Sequence, residues 1–530
     1  MKLRIQSWKH LVDSAESVEE GLRLIAHENV SDETVLPEPP TDVEMMSYID
    51  TRRTFIIGFG MFSCLPLIIR LWLFTLVEPF FVPMALLVSS YLLVSYFAVA
   101  VWGRDMRYED HELVLTMQKD YKPTVDIFLP NAGEPIEVLN NTFRYIAGLD
   151  WEREKLNVYV LDDGPRPHSV KSLANQYGFN YIRRPNPGHM KKAGNLRYAF
   201  TQTHGDIIII FDADFTPRHD FLLHTVPYFN QYPKAAIVQT PQYFTVKPEQ
   251  TWVERGAGST QQLFYRLVQQ NRQRFDATIC VGSAAAYRRV ALEPLGGTAN
   301  IGFSKDVHTS FFLSDSGWVV RYLPLPMAKG TCPDRKKAFF TQNYRWATGS
   351  LMLTTSSGFW RSNLTLQQKV CYASGGAYYI STALSLFANA VPSIVLVLTR
   401  PHLVIWYNTL FAVPSLLFPF IAMRMWSTQH YGLESIRIRW LQYSAHLMAL
   451  YDQIFGEHMV WVPTGAVGNS KNRRYNTAMA MLLHVTVAQM VMLYAGCAWR
   501  LAQGYMWYNF LPSLLMETIN VLICFQVLYK

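Results

Sequence analysis

Long apolar stretches occur towards both ends of this chain. Four of them reach the roughly 20 mainly apolar residues that a helix needs to cross a bilayer, namely 80–102, 378–398, 478–498 and 508–528. Two others are weaker, because 55–77 contains Arg70 and 404–423 contains two prolines, yet both remain apolar enough to span. The pattern predicts about six transmembrane helices, two before a more polar central region and four after it.

The central region, from about residue 104 to residue 340, has a different pattern, in which short apolar strands alternate with helical segments. Its strands include 124–130, then 157–161, and then the four isoleucines at 207–210. Short β-branched runs are typical of strands that are buried on both faces. This alternation predicts an α/β domain whose parallel sheet is covered by helices on both faces.

Two carboxylates, Asp212 and Asp214, follow the isoleucine run. Side chains two apart on a strand face the same way, and open α/β sheets bind ligands beyond the carboxyl ends of their strands. Carboxylate oxygens suit Mg²⁺ or Mn²⁺, which share their coordination with substrate phosphates. The pair predicts a metal site for a sugar nucleotide or another phosphorylated donor. The alternative is a solvated Asp-x-Asp turn.

Further motifs follow in a fixed order, and they favour the metal site. Asp162 and Asp163 precede the Asp-x-Asp pair, Asp306 comes after it, and the segment 342–346 reads Gln-Asn-Tyr-Arg-Trp. The series resembles the signature of the processive family 2 glycosyltransferases, the group of cellulose, chitin and hyaluronan synthases. That resemblance implies a nucleotide-diphospho-sugar transferase fold of the GT-A type, inserted between the transmembrane helices. It also implies a UDP-sugar donor and Mg²⁺ or Mn²⁺ as cofactor.

The resemblance assigns donor-binding roles to acids and a lysine. Asp162 and Asp163 resemble the pair that holds the uridine and the metal-diphosphate end of the donor. Asp214 is the expected metal ligand, and Asp212 is shared between the metal and the ribose. Lys192 matches the lysine of the family's Lys-Ala-Gly-Asn segment near the nucleotide, although it could instead belong to an exposed basic pair.

Four more side chains complete the expected donor site. Asn131 and Glu134 lie in a loop that keeps the family's Glu-Pro and lacks its aromatic residue. Gln342 is implied by its place in the Gln-x-x-Arg-Trp motif. Arg345 shares a helix face with it, since the two are three residues apart. An arginine there can form a two-pronged contact with a diphosphate, which a lysine cannot.

The acceptor site and the base are also implied by the resemblance. Trp346 offers a flat apolar ring to the acceptor sugar, although tryptophans near membranes are more often interfacial anchors. Cys280, Gly282 and Ser283 stand near the family's Phe-Cys-Gly-Ser acceptor strand. Asp306 is the candidate general base, and the alternatives are a pair with Lys305 or a helix cap. Lys305 replaces the family's middle acid and would favour the ionised form of Asp306, which makes a weaker base.

A segment near residue 461 resembles the family's gating loop, Phe-x-Val-Thr-x-Lys-Gly in cellulose synthases. Trp461 takes the place of phenylalanine and Thr464 is in register. The expected lysine is absent at its usual offset, and Lys471 is the substitute we expect. A plain surface loop is the alternative.

Basic residues beside the apolar stretches predict the orientation in the membrane. They flank the first pair of helices and fill the loop between the fourth and fifth: Arg52, Arg53, Arg104, Arg107, Arg424, Arg437, Arg439, Lys471, Arg473 and Arg474. We therefore expect both termini and the catalytic domain to be cytoplasmic, and we expect the protein to reside in the plasma membrane. Residues 1–50 are polar, and we expect a mobile arm without a cleavable signal peptide.

Composition agrees with a membrane enzyme. Only 17% of residues are charged, against about 25% in soluble domains. The net charge of +8, from 48 basic and 40 acidic residues, is explained by the cytoplasmic bias and by anionic lipid. We expect no nucleic-acid partner. The six scattered cysteines are expected to be reduced.

The resulting organisation has seven parts. They are a cytoplasmic arm at 1–50, two transmembrane helices at 51–103, a cytoplasmic glycosyltransferase domain at 104–340, interfacial helices with the Gln-x-x-Arg-Trp motif at 341–370, two transmembrane helices at 371–424, a cytoplasmic interfacial helix and gating loop at 425–475, and two transmembrane helices at 476–530. The sequence ends two residues after the last predicted helix. We therefore expect no intrinsic cyclic-dinucleotide-sensing barrel.

The expected function is an inverting, processive polymerase that makes a β-linked polysaccharide from a UDP-sugar, with UDP-glucose favoured, and moves it across the membrane. Three alternatives remain open: a synthase of the chitin or hyaluronan type using UDP-N-acetylglucosamine, a non-processive transferase with a lipid acceptor, and a degenerate membrane protein that only binds a sugar nucleotide. The intact acids favour catalysis, and the Gln-x-x-Arg-Trp motif argues against a lipid acceptor.

Overall fold

A computed structural model describes residues 36–96, 103–244, 246–302, 304–388, 390–456 and 473–529. Its central element is a seven-stranded sheet in the order β3-β2-β1-β4-β7-β6-β8, and β5 and β9 form a separate pair. The strands are β1 (Val125–Asn131), β2 (Leu156–Asp162), β3 (Asn180–Ile182), β4 (Ile207–Ile210), β5 (Thr216–Pro217), β6 (Ala235–Gln239), β7 (Ala285–Arg288), β8 (Val319–Tyr322) and β9 (Ala328–Lys329). The predicted strands at 124–130, 157–161 and 207–210 are confirmed.

The expectation of a wholly parallel sheet is wrong for one strand. β7 runs antiparallel to both β4 and β6, whereas the other neighbours in the sheet are parallel. Ala285, the first residue of β7, pairs with Ile210, the last residue of β4. A reversed strand begins at the edge where its neighbours end, so the loop before β7 lies beside the segment after β4.

Helices cover the sheet and continue into the apolar regions. The first group is α1 (Asp42–Met46), α2 (Arg53–Thr75), α3 (Val82–Leu93), α4 (Tyr108–Met117), α5 (Ile136–Ala147), α6 (Pro167–Gln176), α7 (Lys191–Gln202), α8 (Phe221–Thr225), α9 (Pro227–Gln231), α10 (Trp252–Thr260), α11 (Gln269–Gln273) and α12 (Arg289–Leu292). The second is α13 (Lys305–Asp315), α14 (Lys336–Thr355), α15 (Ser357–Arg361), α16 (Leu366–Ala388), α17 (Val391–Thr399), α18 (Val413–Leu417), α19 (Met423–Trp426), α20 (Leu433–Phe455), α21 (Arg473–Ala502) and α22 (Trp507–Tyr529).

Five helical stretches among the described residues are long and apolar enough to cross a membrane: Arg53–Thr75, Pro79–Tyr96, Trp406–Trp426, Arg473–Ala502 and Trp507–Tyr529. A sixth is formed if Leu366–Phe387 and Val391–Thr399, which meet at 46°, count as one span. The prediction of about six apolar spans is therefore confirmed. The bend falls near Pro392, whose ring is incompatible with a continuous helix interior.

The domain and the apolar helices share one hydrophobic core. Ile127 and Ile209 of the sheet belong to the same buried cluster as Phe340 of α14, Leu441 of α20 and Leu482 of α21. Burial of apolar surface is the dominant favourable term in folding. The position of α14 relative to the sheet is therefore fixed by the same packing that holds the membrane helices.

The described part of the arm, residues 36–50, contacts the domain at several points. Thr41 and Glu44 form a capping box at the start of α1, and Glu44 also binds Lys329 of β9 at 2.8 Å. Arg218 donates to the Pro40 carbonyl at 2.9 Å. Proline suppresses helix in this segment, as the sequence predicts, but the extended chain is tied to the domain by these contacts.

A buried histidine on α4 predicts a pH-dependent stability. The ring nitrogens of His111 lie 2.8 Å from Tyr228 Oη and 2.8 Å from His224 Nδ1, and His224 Nε2 lies 3.5 Å from Asp220. Burial, reinforced by His224, lowers the pKa of His111 to about 3. Below pH 6.5, the approximate pKa of a histidine in the unfolded chain, His111 therefore binds a proton in the unfolded state and not in the folded state. We expect the free energy of unfolding to fall as the pH drops from 6.5 towards 3.

The measurement is the thermal midpoint of detergent-solubilised protein at pH 7.5, 6 and 5. His111→Gln keeps hydrogen-bonding groups but cannot be protonated, so its midpoint should decline less than that of the wild type. In free energy of unfolding, the difference between the two proteins is up to about 1.4 kcal/mol per pH unit. His168→Gln changes an exposed histidine and serves as the control. An equal decline for the wild type and His111→Gln would contradict the assignment.

Candidate active site

The predicted chemistry-bearing residues meet at one edge of the sheet. Asn131 and Asp162 end β1 and β2, whose last residues pair with each other. Asp212 follows β4, and the loop containing Gly282 precedes the reversed strand β7. Ligands of open α/β sheets bind beyond this edge, so the topology brings together four segments that are up to 150 residues apart in the sequence.

Asp162 is fully buried and already accepts four hydrogen bonds. Its Oδ1 accepts from Asn131 Nδ2 at 2.7 Å and from the Gly164 amide at 2.8 Å. Its Oδ2 accepts from Tyr181 Oη at 2.7 Å and from Arg183 at 3.1 Å. With both oxygens occupied by this chain, Asp162 orients Asn131 and Arg183. Its direct contact with the donor stays a prediction.

Asp163 forms a buried two-pronged ion pair with Arg184. Arg184 Nε donates to Asp163 Oδ1 at 2.8 Å, and Nη2 donates to Oδ2. Both side chains are almost inaccessible, with exposed fractions of 2% and 6%. Arg184 also donates to the carbonyls of His189 and Lys191, so the pair shapes the loop that precedes α7. The predicted donor contact of Asp163 remains untested.

Gly194 in the first turn of α7 permits this arrangement. A Cβ there would overlap the Arg184 guanidinium and the His189 carbonyl. The glycine therefore allows a close approach of the chain to itself.

Lys192 points into the site and is not an exposed basic residue. Its ammonium forms an ion pair with Asp212 and donates to the Gly282 carbonyl at 2.9 Å. Burial alone would lower the pKa of Lys192, but the carboxylates of Asp212 and Asp306 outweigh it and raise that pKa. The Asp212 amide donates to Ser283 Oγ at 2.8 Å. Lys192 and Ser283 thus fix Asp212 from both sides.

Asp214 lies deeper than Asp212. Burial and the charge of Asp212 raise its pKa to about 7, against the hydrogen bond from Thr331 Oγ1 at 3.0 Å. Burial and the same carboxylate also raise the pKa of Glu134, whose Oε2 accepts from the Ala132 amide at 2.7 Å. Three carboxyl groups thus influence one another at the mouth of β4, and positive charge there would stabilise them.

This donor set fits a divalent cation that shares its ligands with a substrate. Across the described ranges, no three histidine, cysteine, aspartate or glutamate side chains are arranged as a complete metal site. Asp212 and Asp214 could supply two hard oxygen ligands and leave other positions to phosphate oxygens, which is how Mg²⁺ is usually bound. The Asp214 carboxylate accepts a hydrogen bond from Thr331, which favours the metal site over the solvated turn, and the metal site stays a prediction.

Asp306 occupies the first turn of α13, facing Gly282. Lys305 forms an ion pair with it, and both side chains are largely buried. A Cβ at Gly282 would collide with the Asp306 carboxylate, and the backbone there has φ +87°. Burial lowers the pKa of Lys305 and the carboxylate of Asp306 opposes this. The predicted ion pair exists, and it sits beside Lys192 and Gly282, inside the site.

Gln342, Arg345 and Trp346 lie on α14, which packs against the start of α13. The Arg345 carbonyl accepts from Ser304 Oγ at 3.1 Å, and a Cβ on Gly349 would overlap the Ser304 side chain. Burial lowers the pKa of Arg345 to about 10, and Asp212 opposes this. The Arg345 guanidinium therefore lies within electrostatic reach of Asp212. Trp346 is half-buried beside it.

Of the three residues predicted on the acceptor strand, Gly282 and Ser283 contact the site and Cys280 does not. The Cys280 thiol is buried 2.9 Å from Tyr287 Oη, and burial raises its pKa to about 12. Its side chain therefore packs into the sheet. Cys280 cannot bind an acceptor through sulfur in this arrangement.

Several residues of the site have no assigned role in the motif series. Gln239 at the end of β6 accepts from the Val281 amide at 2.9 Å and donates to the Ser283 carbonyl at 2.9 Å, which holds the loop before β7. Thr331 and the arginines Arg183 and Arg184 complete the group. Of these residues, only Gln239 could have been identified from the sequence, because it directly follows an apolar run. Trp461, Thr464 and Lys471 of the predicted gating loop lie outside the described residues.

Comparisons with known proteins agree with this geometry. The family model described as glycosyl transferase family group 2 matches residues 207–433. "Cellulose synthase 1" of Komagataeibacter xylinus is 37% identical over 287 residues, which cover 53% of this chain and 18% of the relative. "Cellulose synthase 1 catalytic subunit [UDP-forming]" of the same species is 35% identical over 287 residues, 53% of this chain and 37% of the relative.

A third relative is the "Cellulose synthase catalytic subunit [UDP-forming]" of Pseudomonas fluorescens strain SBW25. It is 35% identical over 261 residues, which cover 48% of this chain and 35% of the relative. The chain thus spans well under half the length of the curated relatives it matches.

Proposed function

We propose that this chain, which belongs to the cellulose synthase-like family 2 glycosyltransferases, transfers sugar from a UDP-sugar to the end of a growing β-linked polysaccharide. It is an integral membrane protein with a GT-A-like nucleotide-sugar transferase domain. The observation that carries the proposal is the meeting of Asp212, Asp214, Asp306 and Arg345 at the carboxyl edge of the sheet. A pair of hard ligands, a base and a diphosphate-binding cation are the groups that glycosyl transfer from a nucleotide requires.

The reaction is a single displacement at the anomeric carbon. The acceptor hydroxyl forms the new carbon–oxygen bond while the bond from that carbon to the diphosphate oxygen breaks, and UDP leaves with the bonding electrons. Asp306 takes the hydroxyl proton, and its position opposite Gly282 places the carboxylate at the acceptor loop. The attack inverts the configuration, which gives a β-linkage from an α-linked donor.

Mg²⁺ or Mn²⁺ held by Asp212 and Asp214 would stabilise the charge on the leaving diphosphate. Arg345 binds the same phosphates through its guanidinium. Because the site is buried, the electrostatic attraction between the two charges is stronger than it would be in water. Lys192 holds Asp212 in place and adds a second positive charge. Asn131 and Glu134 shape the loop that lies beside the nucleotide in this proposal, and Gln342 would contact the donor from α14.

UDP-glucose is the donor we favour, and the product is then a β-glucan. Trp346 lies one residue beyond Arg345 and would stack against the acceptor sugar. The next long helix, α16, begins eleven residues after α14 ends. Its Ser381 carries a buried hydroxyl without a hydrogen-bond partner among the described residues, as expected of a polar group that faces a path through the membrane. The catalytic domain and both termini are cytoplasmic in this proposal, with the plasma membrane as the location.

Transfer should depend on a divalent cation held by the carboxylate pair. Asp214→Asn removes one charge from that pair, so we expect loss of UDP release at all Mg²⁺ and Mn²⁺ concentrations, as in wild type with excess chelator. The measurement is UDP released per enzyme from UDP-glucose. Asp206→Asn, at the opposite end of β4, binds Thr124 and is the matched control. Normal turnover of Asp214→Asn would make the metal assignment wrong.

Asp306 should matter for turnover more than for donor binding. Asp306→Asn keeps the shape but cannot accept the proton, so kcat should fall about 10²- to 10⁴-fold while the UDP dissociation constant changes little. Asp315→Asn changes the carboxylate at the other end of α13, where it accepts from the Asn363 amide at 2.7 Å, and should behave as wild type. If UDP affinity fell in parallel with kcat, Asp306 would be a binding residue.

Polymer synthesis and export should be one process. Protein reconstituted in sealed vesicles with the catalytic domain outside is supplied with each UDP-sugar in turn, and the product is digested with linkage-specific glycanases. We expect a β-glucan from UDP-glucose that resists glycanase added outside until detergent opens the vesicles. Trp346→Ala should shorten the product. Polymer fully digestible in intact vesicles would leave a transferase that needs a separate exporter.

A further inference from the structure

A buried carboxylate on α20 connects the catalytic helix α14 to the membrane helix α21. Asp452 has no exposed surface. Its Oδ2 accepts a hydrogen bond from Tyr344 Oη at 2.6 Å, and its Oδ1 lies 3.0 Å from Arg474 near the start of α21. Three helices that are far apart in the sequence therefore meet at one charge.

Tyr344 lies inside the Gln-x-x-Arg-Trp segment, at one of its unspecified positions. Residues 343 and 344 are buried against α20, where Asn343 Oδ1 accepts from Gln442 Nε2 at 3.0 Å. Gln342, Arg345 and Trp346 occupy the rest of the turn. Successive residues of an α-helix are held at a fixed angle of about 100° to one another. Any rotation of α14 about its axis that breaks the Tyr344 contact therefore turns Arg345 and Trp346 by the same angle.

The remaining attachments of α14 do not set this angle so directly. Lys336, at its start, donates to the Val527 and Leu528 carbonyls at the end of α22, at 3.0 and 3.2 Å. Gly349 contacts Ser304 through closely packed surfaces. Near Arg345, three directed bonds hold α14: Ser304 Oγ donates to the Arg345 carbonyl, Gln442 donates to Asn343, and Tyr344 donates to Asp452. Only the last of these three has a charged acceptor, and bonds to charged acceptors are stronger than neutral ones.

We propose that Tyr344, Asp452 and Arg474 form a positioning triad that sets the rotation of α14 and so places Arg345 on the donor diphosphate. The inference deepens the proposed function and rests on it for the role of Arg345. Asp452 touches neither substrate nor metal in this proposal and acts through Tyr344. The physical basis is that a buried carboxylate requires its partners: Arg474 compensates the charge, and the remaining oxygen holds the Tyr344 hydroxyl in one place.

Tyr344→Phe removes only the hydroxyl, and Asp452→Asn keeps the shape but removes the charge. We expect each to raise the dissociation constant of UDP and lower kcat/KM about 10- to 100-fold, since small displacements of positioned groups have effects of that size. Thr355→Val removes another α14–α20 contact, the hydrogen bond from Gln453 at 3.2 Å, ten residues beyond Arg345. That control variant should bind UDP as the wild type does.

A double-mutant cycle separates positioning from general stability. If Tyr344 acts through Arg345, the UDP affinity of Tyr344→Phe with Arg345→Lys should equal that of Arg345→Lys alone, within about twofold. Multiplicative losses would show that Tyr344 acts on stability or elsewhere in the site, and would overturn the proposal. Unchanged UDP affinity in Tyr344→Phe would overturn it as well.

A second measurement does not depend on the proposed function. Amide hydrogen exchange of the 342–350 peptide should be faster in Tyr344→Phe and Asp452→Asn than in the wild type and Thr355→Val. If the wild type released no UDP from any donor but exchange still responded in this pattern, the proposed function would fail and the triad would stand as the element that holds α14. Exchange unchanged in both variants would overturn the triad whatever the activity.

Discussion

Mutual repulsion among carboxylates at one edge of the sheet is the constraint on which the rest of the structure depends. Burial and the charge of Asp212 raise the cost of ionising Asp214 and Glu134, and Asp306 lies on the opposite wall. Such a group is stable only with positive charge close by. Each cation comes from a different element: Lys192 from α7, Lys305 from α13 and Arg345 from α14. The fold must therefore bring three helix segments to the ends of the strands.

The reversed strand β7 is part of that solution. Because it starts where β4 ends, its preceding loop presents the Gly282 carbonyl to Lys192 and the Ser283 hydroxyl to the Asp212 amide. A parallel strand would present these groups at the opposite edge. Gln239 then holds the loop from the neighbouring strand β6. The geometry around Asp212 is thus built from backbone direction as much as from side-chain identity.

Sequence reasoning was most successful where local pattern decides structure. The four isoleucines predicted a buried strand, and the lengths of the apolar stretches predicted membrane spans. Both the strand and the approximate number of spans are confirmed. The family resemblance is also confirmed. β7 could not be predicted in the same way, because the four residues Ala285–Arg288 carry no strong alternation and direction is set by distant pairing. The contacts of the arm could not be predicted for a similar reason, because its partners Arg218 and Lys329 are far away in the sequence.

The directions of the side chains in the site also could not be predicted from the sequence. Asp163 matches a motif position, yet its partner Arg184 lies across the β2–β3 connection, and only the folded register shows that they form a buried pair. Cys280 likewise matches by position while its thiol packs against Tyr287. A motif specifies residue types along the chain, whereas function depends on where each side chain lies and which way it points in the folded protein.

Lys305 illustrates how a departure from a family pattern can be compatible with the same chemistry. In the family motif an acid precedes the base, whereas here the preceding side chain is a cation that pairs directly with Asp306. Lys192 lies close enough to both for its charge to oppose that of Lys305. Two ammonium groups can share so small a volume only because Asp212 and Asp306 lie beside them. The extra lysine therefore changes the local charge balance of these carboxylates towards neutrality.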